Sequence, residues 1–335
     1  MNALPNFFII GARRCGTTAL AQYLAEHPAI LFYPTEPNFF CPDVELEPRD
    51  RASEAEYYGF FAAARPQHLA LGEKSVTYMN STVAAGRIFR LQPGARFIAI
   101  VRNPLEMAYS WYVWNRRRAF EPAPTFEQAW RLQVERKAGR AVPHNCPTPS
   151  FLQYGELCRV GAQLQRWYEQ VPAEHLRLVL FEDFAAAPAD IYEDTLRFLG
   201  LPSDGREHFP IVNEGIYPRS VRLQRLLLLA RRGSQGLKRA LGVERGFGAL
   251  SKVEAALATP RLPLSPTFRA ELAEFFAADV ALVSRLAGRD LSYWLGAGAG
   301  APGGGSSKDR RGASPPGAER EAPRRKQAPP SWHKT

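Results

Sequence analysis

The stretch Phe7–Thr18, FFIIGARRCGTT, constrains the fold more than any other part of the chain. An apolar run enters Gly11, Gly16 follows after a short basic loop, and Thr17 and Thr18 open the segment TTALAQYLAEHP. There Ala19, Leu20, Tyr23 and Leu24 share one helical face, and the helix stops before Pro28. A buried strand that turns through glycines into a helix aims backbone N–H groups and the positive helix end at an anion. Gly16 lets that backbone approach closely, and the two threonine hydroxyls add donors.

Further strands and helices alternate along the chain. HLALGEK reads as a short strand, and ARFIAIV as a continuous apolar one covered on both sheet faces. After it, Asn103 is an N-cap and Pro104 a first helical residue, with the helix running to about Arg117. The segment Phe120–Ser150 is rich in Pro and polar residues, with one helix around Phe126–Lys137. Leu157, Val160, Leu164, Trp167, Tyr168 and Val171 form one helical stripe. LRLVLF is another buried strand, PADIYEDTLRFLG a helix closed by Gly200, and SPTFRAELAEFFAADVALVSRLAG a long amphipathic helix. This alternation implies an α/β, P-loop-like three-layer fold with a central, largely parallel β-sheet flanked by helices.

The identity of the anion follows from where the positive charge sits. In ATP- and GTP-cleaving loops a lysine after the second glycine reaches the β- and γ-phosphates, and the next hydroxyl holds Mg²⁺. Here that position is Thr17, and Arg13 and Arg14 lie inside the loop instead. Basic residues within the loop suit a single 5′ phosphate-linked group with no required metal, as in 3′-phosphoadenosine 5′-phosphosulfate. A donor with a second phosphate on its ribose predicts a second anion site. VRNPLEMAYSWY supplies it: Arg102 ends the strongest strand, and Ser110 lies seven residues beyond Asn103, close to two helical turns.

With both cradles in view, the chain resembles the sulfotransferases that use 3′-phosphoadenosine 5′-phosphosulfate, above all the bacterial members and the heparan-sulfate sulfotransferases. FFIIGARRCGTTAL is similar to the family's 5′-phosphosulfate loop, and IVRNPLEMAYSWY to its 3′-phosphate motif. YPTEPNFF, GEKSVTYM, LVLFEDF and GRDLSYWL are similar to further motifs in the same order. The resemblance covers about residues 6–296 and implies a sulfotransferase domain over 1–296. It further implies donor binding by Arg13, Arg14, Cys15, Gly16, Thr17, Thr18, Arg102 and Ser110. NEGIYPRSVRLQ resembles the segment that covers the donor and offers Arg219 and Arg222 to the 3′-phosphate. For catalysis the resemblance implies Arg14, standing where the family has a lysine, Lys74 near the transferring group, and Glu36 as general base. A neighbouring family histidine is replaced by Asn38, which leaves Glu36 without a partner; His144 is the alternative base.

Other readings stay open on the residues alone. A nucleotide kinase or NTPase of the same loop architecture would use Glu182 and Asp183 after LVLF as a metal-binding strand end. A non-catalytic protein could keep only the donor site.

Composition bounds the partners. The net charge of +10 favours anionic ligands, but the segment from Ala301 onward, with eight Lys/Arg and three Asp/Glu, carries half of it, so charge does not argue for nucleic acid. That Gly/Pro/Ser-rich stretch, 297–335, has too little apolar surface to offset its ordering entropy and reads as a disordered basic tail. The four cysteines have no metal-ligand spacing and read as free thiols of a reducing compartment. No apolar stretch nears the roughly 20 residues that span a bilayer, and the uncharged start reads against a signal peptide. These features together suggest a cytoplasmic enzyme with no metal and a small-molecule or glycan acceptor.

Overall fold

The computed structural model describes residues 4–210 and 263–296. Strands β1 (Phe7–Gly11), β2 (Ile30–Phe32), β3 (Ala70–Lys74), β4 (Arg96–Val101) and β5 (Leu176–Leu180) form one sheet in the order β2-β3-β1-β4-β5. Every neighbouring pair is parallel. All of β1 and every residue of β4 after Arg96 are buried, which is why both read as unbroken apolar runs. Phe8 stacks on Phe97 at 5.6 Å, and Phe97 meets Trp167 edge-on. Burying each such ring contributes about 1.5–3 kcal/mol.

From β1 the chain runs through α1 (Thr17–Ala25) to β2 at the sheet edge and returns through α2 (Glu54–Phe61) to β3 beside β1. It then crosses through α3 (Ala84–Leu91) to β4 on the other side of β1. Strand order therefore reverses at β1, and the crevice outside the carboxyl ends of β3, β1 and β4 is where such sheets bind ligands. Helix α4 (Pro104–Arg117) follows β4 directly. Asn103 Oδ1 accepts from the Leu105 N–H at 2.9 Å and Pro104 opens the helix, as the sequence predicts.

The segment read as one helix over 126–137 is two, α5 (Phe126–Arg131) and α6 (Gln133–Lys137). Gln133 accepts from the Gly155 N–H at 2.7 Å, and Arg136 turns inward onto Glu121, so side-chain partners override a straight helix. The Leu157–Val171 stripe likewise divides between α7 (Tyr154–Leu157) and α8 (Val160–Tyr168). After β5 come α9 (Phe181–Ala186) and α10 (Pro188–Leu199), the latter closed by left-handed Gly200. The long helix α11 (Pro266–Ala287) docks on α8, where Asp279 accepts the Gly161 and Ala162 N–H groups at 2.9 and 3.0 Å. Side chains on Gly161 could not be accommodated, because a Cβ there would lie 2.5 Å from the Asp279 carbonyl oxygen. Among the described residues no helix is long and apolar enough to cross a membrane. The expected tail, 297–335, lies outside the described residues.

Candidate active site

The loop after β1 is bent by left-handed backbone at Arg14 (φ 62°) and Gly16 (φ 81°). It is anchored to β4 by the Ala12 N–H, which donates to the Ile100 carbonyl at 2.6 Å. Gly16 caps α1, its carbonyl accepting from the Ala19 and Leu20 N–H groups. A Cβ at this position would also press on the Phe181 ring at 3.1 Å, so conformation and space both demand glycine. Cys15 is fully buried, and its thiol donates to the Arg13 carbonyl at 3.2 Å. Burial pushes that thiol up to about 12, so Cys15 secures the loop from below and offers a ligand only its backbone. Thr17 is buried, whereas Thr18 is half-buried with its hydroxyl 3.3 Å from Lys74 Nζ.

On the β4 side of the loop, Arg14 Nε donates to Ser110 Oγ of α4 at 3.1 Å. Arg102, just beyond β4, donates from Nη1 to the Arg14 carbonyl at 3.3 Å and lies 4.7 Å over the Phe181 ring. Its Nε is buried without a hydrogen-bond partner among the described residues. The carboxyl end of β4 is held by Asn103, whose Nδ2 donates to the Trp294 carbonyl at 2.8 Å. Arg14 is thus brought together with Arg102 and Ser110, which follow it by 88 and 96 residues. An orphaned guanidinium donor beside two further cationic or hydroxyl groups fits an anionic phosphate ester.

On the β3 side, Lys74 Nζ stands 2.7 Å from Glu36 Oε1. Glu36 therefore has a partner, contrary to the expectation from Asn38. Burial alone would raise the Glu36 carboxyl, but the charge and hydrogen bond of Lys74, then Arg13 and the Val76 N–H, bring it below the ordinary carboxylate range. Asn38 serves the turn itself. With φ 49° it donates from Nδ2 to the carbonyls of Glu36 at 3.2 Å and Asp50 at 2.9 Å.

Arg13 leaves the loop in a different direction from Arg14. Its Nη2 donates to Thr77 Oγ1 at 2.7 Å, and its guanidinium lies against Trp111 at 5.2 Å and Phe151 at 5.1 Å. Burial lowers its pKa and the Glu36 charge partly offsets this, leaving an arginine that stays cationic at neutral pH. Trp111 in turn stacks on Trp114 at 4.4 Å with rings 10° apart, and its Nε1 donates to the Phe151 carbonyl at 2.7 Å. Phe151 lies just past the Pro-rich segment 120–150, whereas Trp111 and Trp114 belong to α4.

His144 is exposed, and among the described residues no hydrogen bond or ion pair links it to Glu36 or Lys74. Asp183 is held by both its oxygens to Arg289 at 2.9 and 2.8 Å. The described residues hold no group of three or more His, Cys, Asp or Glu side chains that could bind a metal ion. Arg219 and Arg222 lie outside the described residues. The sequence reading missed Thr77, Trp111 and Phe151 around Arg13, and Glu73 behind Lys74; only the GEKS motif marked that last position.

Comparison with known proteins bears on the family and the fold. Residues 4–217 match the family described as "Sulfotransferase domain". The bifunctional heparan sulfate N-deacetylase/N-sulfotransferase 2 of Bos taurus is 30% identical over 300 residues, which is 87% of this chain and 31% of that protein. Its Homo sapiens counterpart is 30% identical over 205 residues, covering 59% of this chain and 22% of that one. The chain spans less than a third of the length of these curated relatives. The crystal structure of a sulfotransferase from Alicyclobacillus acidocaldarius superposes with a TM-score of 0.64 at 26% identity, covering 87% of this chain and 99% of that one.

Proposed function

The chain belongs to the sulfotransferase domain family, and on that premise we propose that it transfers the sulfuryl group of 3′-phosphoadenosine 5′-phosphosulfate to a hydroxyl or amine of a carbohydrate, lipid or secondary-metabolite acceptor. One observation carries this reading. The carboxyl ends of β4 and β3 set a cationic cluster, Arg14–Ser110–Arg102, and an ion pair, Lys74–Glu36, on either side of the loop that follows β1.

In the transfer the acceptor oxygen or nitrogen bonds to sulfur while the bond from sulfur to the 5′-phosphate oxygen breaks, and the electron pair stays on that oxygen. Positive charge fixed there in advance lowers the barrier most. Arg14 supplies it without moving a proton, because a guanidinium stays protonated. Arg102 and Ser110, with Arg219 and Arg222, hold the 3′-phosphate, while Gly16, Thr17 and Thr18 line the 5′ end. Glu36, ionised at neutral pH, takes the acceptor proton, and Lys74 lies between it and the transferring group. Arg13 faces the acceptor side. The four buried free thiols suit a reducing compartment, and we assign the chain to the cytoplasm.

Incubation with ³⁵S-labelled donor and a panel of sugars, lipids and phenolic metabolites, read by mass spectrometry, tests the reaction. A labelled ester or sulfamate is expected. Calorimetry with adenosine 3′,5′-bisphosphate in EDTA tests the donor site separately. Magnesium-dependent ATP binding with no affinity for the bisphosphate would overturn the assignment.

A further inference from the structure

Behind the Glu36–Lys74 pair lies a carboxylate with a different kind of neighbourhood. Glu73 precedes Lys74 on β3 and is fully buried, its side chain on the opposite sheet face from that of Lys74. Its Oε1 accepts from Tyr57 Oη at 2.7 Å and Tyr78 Oη at 2.9 Å, and its Oε2 from Ser75 Oγ at 2.8 Å. Two of these hydroxyls are used twice. Ser75 Oγ accepts the Asn38 N–H at 3.0 Å, and Tyr78 Oη accepts the Phe39 and Phe40 N–H groups at 3.1 and 3.3 Å. The Tyr57 hydroxyl touches no backbone of that loop; its ring stacks on Phe39 at 4.4 Å.

A hydroxyl has one proton and two lone pairs. Because Glu73 takes the proton of Ser75 and of Tyr78, their lone pairs are left for the amides of residues 38–40. The carboxylate thus sets the direction of every bond between it and the loop. An apolar residue at this position would leave those hydroxyl protons unpaired in the core.

We infer that Glu73 is a positioning residue: its carboxylate orients the Ser75 and Tyr78 hydroxyls so that they clamp the backbone of residues 38–40 and thereby keep Glu36 against Lys74. Its consequence for turnover rests on the reading of Glu36 as the base, whereas the clamp itself does not.

The test follows Glu36 directly, in protein labelled with carboxyl-¹³C glutamate, the Glu36 resonance being assigned by its loss in Glu36→Gln. In the natural protein Glu36 titrates below the ordinary carboxylate range. In Tyr78→Phe its titration moves up towards that range, and the amides of Phe39 and Phe40 exchange with solvent about tenfold faster, the loss of one hydrogen bond. Ser75→Ala does the same at Asn38. Tyr57→Phe also removes one bond to Glu73 but frees no amide, and it leaves both readouts unmoved. Glu73→Gln keeps the volume and mimics the protonated acid, the form present where Glu36 titrates, so it leaves that titration in place; above about pH 7, where the natural protein holds the carboxylate, it speeds exchange of the residue 38–40 amides.

Unchanged Glu36 titration and exchange in Tyr78→Phe and Ser75→Ala overturns the clamp, as does an equal effect from Tyr57→Phe, which marks general core damage. Thermal melts show which variants fold; the serine and tyrosine variants decide the matter if Glu73→Gln does not. If Glu36→Gln retains full ³⁵S transfer, the base assignment falls and the clamp stands, so the two failures read differently.

Discussion

Left-handed backbone at Arg14 lets two adjacent arginines serve different neighbours, Arg14 reaching Ser110 while Arg13 reaches Thr77, Trp111 and Phe151. Arg14→Ala is expected to lower kcat by about 10²–10³-fold, the usual loss for one preorganised charge stabiliser, with the melting temperature unchanged. Arg13→Ala is expected to raise the acceptor KM and leave calorimetric affinity for the bisphosphate unaltered. Half-buried Glu36 and fully buried Glu73 have opposite pH signatures. Glu36 is held below its ordinary value, so its base form and its pairing energy persist at neutral pH and are lost as pH falls through the depressed value. Burial pushes Glu73 up to about 7; its three hydroxyl donors oppose that rise and the Glu36 charge adds to it. A carboxyl with a raised folded value favours the fold at low pH and weakens it as pH climbs from the ordinary carboxylate range towards neutrality. Melting temperatures compared over about pH 5–8 should therefore fall more steeply in the natural protein than in Glu73→Gln.

At the scale of elements, β4 and α4 carry two residues proposed for the donor site, Arg102 at the turn between them and Ser110 two helical turns on. Asn103 secures both ends of that turn through Leu105 and Trp294. Asn103→Ala is expected to cost about 2 kcal/mol in urea unfolding, for one cap and one buried bond, and to weaken bisphosphate binding in parallel. This turn was legible in the sequence because capping chemistry is local, and β1, β3, β4, β5 and α11 were legible because their apolar periods are long or unbroken. The three-residue β2 was not, since Ile30–Phe32 is too short to show a period and is fixed by pairing with β3. Helices α2 and α3 also went unread, and Leu132 hid a break that goes with Gln133's bond to Gly155 and Arg136's to Glu121. For the site, ordered motifs located Arg14, Glu36, Lys74, Arg102 and Ser110. Direction was not legible: nothing local tells that Arg13 turns away from Arg14, or that Glu73 meets hydroxyls of Tyr57, Ser75 and Tyr78.

Across the molecule, the chain between α4 and α8 brings Phe151 against Arg13 of the loop after β1, and that segment has its own fastening. Arg136 and Glu121 are both fully buried, joined by two hydrogen bonds at 2.6 and 2.8 Å. Glu121 also accepts from Tyr154 Oη at 2.6 Å and the Ala123 N–H at 2.8 Å. Arg136→Met strands a carboxylate in the core and should cost about 3–5 kcal/mol in urea unfolding, whereas a paired apolar replacement of both residues should cost far less. Beside that segment, α4 holds the parallel indoles of Trp111 and Trp114, 4.4 Å apart. Stacked indoles this close quench one another, so Trp114→Phe is expected to brighten the emission of Trp111, and with Arg13 5.2 Å from that ring a ligand that draws the guanidinium aside is expected to change the same emission.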